Sequence, residues 1–358
     1  MPLKELYHIW KTKLAEIRPG ERVTRLRNFA WLLAGLYTSK SVHQTKMAAK
    51  IPGETCLLSR TRRLSRLLDN PAVRVREWYH PLASGLLRVI AAAGEVRLIV
   101  DGSKVGFGHQ MLMVAVAYRK RAIPLVWTWV KGNRGHSSSL KQLALLGYVN
   151  SLLPAQATVI LVGDNEFGAV DVQKQLEKWG WQYVLRQKGQ YLVLPFGKRT
   201  SQRLNSLVNK TGELAWLPRC RFTLKHHWRV NVLAYWKPGE KEAWFLTSNR
   251  PNALLTLQTY RRRMWIEEMF GDMKGHGFDL ESTHLRNFLR LSRLTLAVVL
   301  LYIWLLSFGA RTIKQGHRRL VDRNDRRDYS LFRIGWHMAD RKLINGKNLR
   351  ISFRFCHS

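Results

Sequence analysis

Five short apolar runs between Glu95 and Arg186, interrupted by only two helix-length segments, constrain this chain more than any other feature. Val96–Asp101 (VRLIVD), Met111–Tyr118 (MLMVAVAY) and Ile123–Val130 (IPLVWTWV) follow one another with no room for a helix between them. They predict three sequential strands, apolar nearly throughout and so covered on both faces. Ser137, Ser138 and Ser139 offer an N-cap for a helix reaching about Leu153. A strand at Thr158–Gly163 (TVILVG), a helix near Ala169–Trp179 and a strand at Gln182–Arg186 follow. Three strands, then helix, strand, helix and strand, describe an α/β domain on a mixed sheet.

Two of those runs lead into acids, and acids are scarce here. The chain holds 60 Lys and Arg against 24 Asp and Glu, a net charge of +36. Asp101 and Asp164 each close an apolar strand at its C-terminal edge, where open α/β sheets collect ligands and catalytic groups. A strand-end carboxylate also serves as an ordinary turn cap, so either one alone reads both ways.

The third acid comes from a helix starting near Leu254, within LLTLQTYRRRMWIEEMFGDMKGHGFDLE. Stepping from Tyr260 at ~100° per residue puts Arg263, Glu267 and Lys274 near about 300°, 340° and 320°. The four groups then share one stripe. Gly271 borders it and would let a backbone or sugar come close, while Glu268 and Asp272 fall off it, which selects Glu267. The alternative is a solvated face stitched by i,i+4 pairs such as Arg263 with Glu267. Three carboxylates from separate segments can hold two divalent ions for an in-line phosphoryl displacement. Tyr, Arg and Lys beside them would grip phosphate oxygens.

The spacing Y-x2-R-x3-E-x6-K, met by Tyr260, Arg263, Glu267 and Lys274, resembles the signature of DDE transposases of the insertion-sequence-4 type. The VDG at Val100–Gly102 and the GDNEFG at Gly163–Gly168 look like that family's first and second acid blocks. The resemblance runs from about residue 95 to 285. It implies a ribonuclease-H-like core in which Asp101, Asp164 and Glu267 are catalytic and hold Mg²⁺, with Mn²⁺ able to substitute. It implies double-stranded DNA as substrate, cut at terminal inverted repeats and joined to target DNA through its 3′-hydroxyl ends. A homodimer in the synaptic complex and a β-rich insertion between the second Asp and the Glu belong to the same expectation. Some members stack a flipped base on an insertion Trp, and Trp244 is similar in context. A core tryptophan of a strand is the other reading of that residue.

The expected organisation is a helical DNA-binding domain over 1–92, the first part of the core over 93–187 and the insertion over 188–250. The second part of the core, with the signature helix, spans 251–310, and a basic C-terminal region spans 311–358. In the first of these, Val42–Ile51 and Thr55–Asp69 flank Pro52-Gly53 with helix-turn-helix spacing. The second helix places Leu57, Leu58, Leu64, Leu67 and Leu68 on one face. Arg60, Arg62, Arg63 and Arg66 lie on the other, either to meet DNA or as the solvated face of a bundle helix. Phe222–Trp236 and Glu242–Ser248 alternate like antiparallel strands. His226 and His227, adjacent in the first run, would point to opposite faces, which is poor geometry for one metal. His109, His136 and His276 sit near glycines as expected loop residues. Leu294–Ala310, seventeen residues without a charge, reads as a buried core helix, with a membrane span as the alternative. The tail beyond it, with LFRIGW at Leu331–Trp336, reads as partly folded.

Composition narrows the class. With 46% hydrophobic residues and 14 Trp, a disordered basic protein is excluded. A charge of +36 calls for a polyanion, and DNA rather than membrane is the expected partner. Cys56, Cys220 and Cys356 are far apart, which fits a reducing compartment. The start of the chain lacks an apolar leader, so a cytoplasmic, nucleoid-associated, bacterial setting is expected. No phosphate-binding G-x-x-x-x-G-K-[ST] occurs. The function expected is a transposase; the alternative is a metal-dependent DNA nuclease or an inactive DNA-binding descendant.

Overall fold

Apolar runs that have no polar face must be covered on both sides, and the fold supplies that cover with a single wide sheet flanked by helices. The computed structural model describes residues 2–106, 108–132 and 137–355, so His136 and Cys356 lie outside the described residues. Five helices come first: α1 (Pro2–Ile17), α2 (Val23–Ser39), α3 (Gln44–Lys50), α4 (Leu57–Asp69) and α5 (Val75–Ala93). Then follow β1 (Val96–Val105), β2 (His109–Tyr118), β3 (Arg121–Lys131), α6 (Ser139–Leu152), β4 (Val159–Gly163), α7 (Val170–Lys178) and β5 (Gln182–Arg186). A β-rich stretch adds β6 (Leu192–Leu194), β7 (Gln202–Arg203), β8 (Leu214–Phe222), β9 (Trp228–Tyr235) and β10 (Trp244–Ser248). Four helices come last: α8 (Ala253–Tyr260), α9 (Met264–Met273), α10 (Phe288–Lys314) and α11 (Leu331–Ile344).

The chain divides into two compact units. One comprises Leu86–Ser103 and Gln110–Met269 and carries the sheet. Its strand order is β3-β2-β1-β4-β5-β10-β9-β8-β6-β7. β2 and β3 are joined by Arg119-Lys120, both left-handed, the geometry of a type I′ hairpin turn. β1, β4 and β5 are parallel, and β10 then adds to β5 antiparallel, Leu246 opposite Arg186. The β-rich stretch therefore continues the core sheet and covers its β5 edge, which would otherwise be open. A buried cluster of Val162, Val184, Leu233, Trp244, Leu246, Leu257 and Tyr260 ties β4 and β5 to β9, β10 and α8.

Several sequence expectations are corrected here. Phe222–Trp236 is not one strand: β8 ends at Phe222, a turn follows, and β9 starts at Trp228. His226 and His227 sit in that turn, with His227 at φ +45°, because alternation of residue type does not reveal a reversal. His109 opens β2 instead of lying in a loop. β1 runs on to Val105, so Asp101 lies inside it and not at its end.

The other unit comprises Met1–Gly85, Lys104–His109 and Phe270–Ser358. Its core is α10, whose apolar window is 94% buried inside the protein, against α2, α4 and α11. α10 and α11 approach so closely that Gly309 and Gly335 face each other's backbones. A Cβ on Gly335 would collide with the Leu305 carbonyl, and one on Gly309 with that of Leu331. Arg293, at the head of the uncharged run, donates to the carbonyls of Leu68 (2.7 Å) and Val73 (3.1 Å) and so closes the C-terminus of α4. On α4 itself only Leu64, Leu67 and Leu68 are buried; Leu57 and Leu58 are exposed, since they lie in its first turn while α10 packs on its last turns. Gly335→Ala is expected to destabilise the protein by about 1–3 kcal/mol, because neither backbone can give way; thermal unfolding followed by circular dichroism checks this, and an unchanged midpoint would refute the close packing.

Candidate functional site

The register of β1 on β4 brings the first two acids together. Val100 is opposite Gly163 in a parallel pair, so Asp101 and Asp164 are the next residues on the two neighbouring strands. The strands part there: β1 continues, and β4 stops. Asp164 becomes the cap of a short 3-10 turn, Asn165–Phe167, its Oδ1 accepting from the Glu166 amide at 3.0 Å. Asp101 is fully buried, and its Oδ1 accepts from the Gly102 amide at 2.7 Å.

The third acid arrives on α9. Asn252 caps α8 by accepting from Leu255 N at 2.9 Å, and Tyr260 ends that helix. A 3-10 turn over Arg261–Arg263 separates it from α9. The continuous helix expected from Leu254 onward is thus broken in two, and a uniform 100° step misplaces whatever follows the tighter turn. Arg263 and Glu267 nonetheless stay four residues apart on one face, and they form an ion pair.

Arg263 is the hub. Its Nη1 donates to Asp101 Oδ2 at 2.9 Å, and its Nη2 donates to Glu267 Oε1. One guanidinium therefore bridges both acids, and its side chain is only 10% exposed. Burial pulls the Arg263 pKa down, but Tyr260 once ionised at high pH, together with Asp101 and Glu267, outweighs that and holds it above the ordinary value. Tyr260 is buried, edge-on to Trp244 with ring centroids 5.1 Å apart. Its hydroxyl has no hydrogen-bond partner among the described residues. Burial raises its pKa, with Arg263 and Arg186 opposing and Asp164 and Asp101 adding to the rise, so it keeps its proton at neutral pH and remains a donor without an acceptor.

The donor set has the chemistry of a hard divalent cation site: carboxylate oxygens of Asp101 and Glu267 converge on a single positive group, with Asp164 next to Asp101 in the sheet. Among the described residues, no three His, Cys, Asp or Glu side chains converge at metal-holding distance. Arg263 supplies the positive charge between Asp101 and Glu267.

Other expected residues fall elsewhere. Lys274 lies past the end of α9, donating to the Lys104 carbonyl (2.9 Å) and pairing with Glu281 (2.6 Å). The space beside Gly271 is taken by the His276 ring, 3.1 Å from where a Cβ would stand. Glu268 pairs with Arg121 at 3.2 Å. Trp244 is 8% exposed within the Tyr260 cluster, with Lys237 Nζ 5.8 Å from its ring centroid. On α4, Arg62, Arg63 and Arg66 are exposed and Arg60 is half-buried. Arg60 reaches the Ile51 carbonyl, and Arg63 donates to Asn28 at 2.6 Å.

A supporting layer was not read from the sequence. Glu166 accepts from the Ser137 amide (2.9 Å) and from Gln110 Nε2 (2.8 Å), while Gln142 Nε2 donates to the Glu166 carbonyl (2.9 Å). Since the amide of Glu166 also holds Asp164, this residue fastens the second acid to β2 and to the start of α6. Gly102 is glycine because a Cβ there would strike Gln110 Nε2 and lie 3.1 Å from Glu166 Oε2. The GDNE string carried the only signal for this layer.

Arg263→Ala is expected to cost roughly 3–5 kcal/mol of stability, the usual result of stranding a buried charge. The lower end applies, because the Gly102 amide still bonds Asp101 and Glu267 is partly exposed. Mg²⁺ should raise the unfolding temperature of that variant more than that of the wild type. Equal shifts would show that Arg263 and the ion do not share the acids.

A sequence model of the family described as Transposase DDE domain matches residues 93–304. No curated protein matches the chain. Among solved structures, the chain is similar to a piggyBac transposase, determined by cryo-EM as a synaptic complex with hairpin DNA. The identity is 9% and the TM-score 0.44, over 96% of this chain and 78% of the other.

Proposed function

We propose that this chain, which belongs to the Transposase DDE domain family, cuts DNA at the terminal inverted repeats of an insertion sequence and joins the freed 3′-hydroxyl ends to target DNA. The observation that carries the reading is the single guanidinium shared by Asp101 and Glu267, inside the segment that the family covers. Asp101, Asp164 and Glu267 would hold Mg²⁺, or Mn²⁺ in its place. When bound, the ions polarise the scissile phosphate and lower the pKa of the attacking water or 3′-hydroxyl.

The chain's own residues do the rest. Arg263 passes from the two acids to a phosphate oxygen, its fork matching a phosphate as well as a carboxylate. Tyr260, protonated and lacking an acceptor, donates to the same strand. Lys274 contributes to holding the terminal phosphates only on leaving Glu281, its partner in the free protein. Trp244 stacks an extruded base on leaving its cluster with Tyr260. Arg62 and Arg66 of α4, exposed beside Arg60 and Arg63, contact the end of the element. Two ends are held by a homodimer.

The test is Mg²⁺-dependent cleavage of the gene's own flanking repeats. Asp101→Asn and Glu267→Gln should lose cleavage by more than the ~100-fold that an outer partner costs, and should keep DNA binding that weakens steeply with salt. Salt-sensitive binding without cleavage by the wild type, in Mg²⁺ or Mn²⁺, would move the reading to an inactive DNA-binding descendant.

Cys56 provides a separate check on α4. It is exposed at the N-terminus of that helix, and hydrogen bonding from Ser59 lowers its pKa. Burial pushes the Cys220 thiol up to about 11, so Cys56 should alkylate far faster near neutral pH. Flanking-repeat DNA should slow alkylation of Cys56, read by peptide mapping. An unchanged rate under saturating DNA would remove α4 from the interface.

A further inference from the structure

At the end of the β-rich stretch, away from the Trp244 cluster, a cavity of about 360 Å³ opens among Phe196, Arg219, Arg221, Arg229, Asn231 and Asn249. The pleat accounts for its composition. Arg221 and Arg229 are opposite each other on β8 and β9, and Asn231 is opposite Ser248 on β10. Residues two apart on a strand share a face, so Arg229, Asn231, Leu233 and Tyr235 line one side of β9. Leu233 belongs to the cluster that holds Trp244 and Tyr260. One sheet face thus carries the Tyr260 cluster toward one end and three arginines at the other.

The polar groups of the walls are already committed. Asn231 accepts from the Arg219 amide (2.9 Å) and donates to the Arg250 carbonyl (2.8 Å). Asn249 donates to the Trp181 carbonyl (3.0 Å) and accepts from Tyr183 N (2.9 Å), and Ser248 donates to the Tyr183 carbonyl (2.8 Å). No carboxylate lines the cavity. The guanidiniums of Arg221 and Arg229 make no hydrogen bond or ion pair among the described residues. What the cavity offers is therefore cationic forks and nothing for a neutral polar ligand, which selects an anion and favours phosphate geometry. Phe196 adds a second feature: it is 67% exposed, and the Arg219 guanidinium lies 4.4 Å from its ring centroid. An exposed ring with a cation against it can serve as a platform for a nucleobase.

We infer that this cavity is a DNA-strand site separate from the acidic centre, in which Arg221 and Arg229 hold backbone phosphates and Phe196 stacks an unpaired base. The inference rests on the DNA reading above. The base is unpaired because a base inside a duplex has both faces covered by its neighbours.

The experiment measures binding of fluorescein-labelled DNA from the gene's flank, blunt or with a short unpaired tail, by the full chain in EDTA across a salt series. Arg221→Ala/Arg229→Ala should weaken both probes and flatten the salt dependence by about one to two units of slope. Phe196→Ala should weaken the tailed probe at least ~5-fold and leave the blunt probe unchanged. Lys141→Ala/Lys178→Ala removes two charges from exposed positions on α6 and α7 and should leave the slope near the wild-type value. All substituted positions are exposed, so matching unfolding temperatures confirm intact folds. The proposal is overturned if the arginine pair behaves like the lysine pair, or if Phe196→Ala affects both probes alike. A wild type that binds both probes but cleaves nothing in Mg²⁺ would defeat the proposed activity while leaving the cavity result readable.

Discussion

The parallel pairing of β1 with β4 is the constraint on which the site depends. It stops at Val100 and Gly163, and the two residues that follow are the two aspartates. Both strands are buried almost throughout, and the register in which they pair also sets the two acids on neighbouring strands. Arg263 then binds Asp101 to Glu267 and spares two carboxylates from facing each other unscreened. An arginine suits this post because it cannot lose its proton, and its fork reaches two acids at once.

Charge explains how the rest of the surface is used. With 24 acidic residues against 60 basic ones, there are too few carboxylates to give each cation one of its own. Several cations are spent on structure: Arg293 on the end of α4, Lys274 on Glu281, Arg121 on Glu268. Arg221 and Arg229 of the β8–β9 cavity have no acidic partner among the described residues, and Arg62 and Arg66 of α4 are exposed. A chain so charged stays soluble and repels itself, and a polyanion relieves both its self-repulsion and its unpaired cations.

Much of the central sheet was legible because its strands are apolar without interruption and punctuated by acids and glycines; β5 falls on the residues that the pattern predicted. What misled the pattern was local geometry. The turn between β8 and β9 is spelled with residues that also suit strands, and the 3-10 turn after Tyr260 is spelled with three arginines that suit a helix. Leu57 and Leu58 look like core yet lie exposed, because α10 covers only the last turns of α4. For Trp244, composition left both readings open, and packing against Tyr260 decided its position.

The sequence by itself determined the α/β class, the run of strands and the buried α10, because these depend on periodicity and on the lengths of apolar runs. Tertiary structure decided the rest. That Arg263 joins Asp101 to Glu267, that Glu166 fastens Asp164 to Gln110 and Ser137, and that Arg221 and Arg229 stand side by side are consequences of strand register and helix placement. Each contact links residues far apart in the chain or across a reversal, and such a distance is closed by burying apolar surface on the folded sheet, a collective effect that no local stretch of residues encodes.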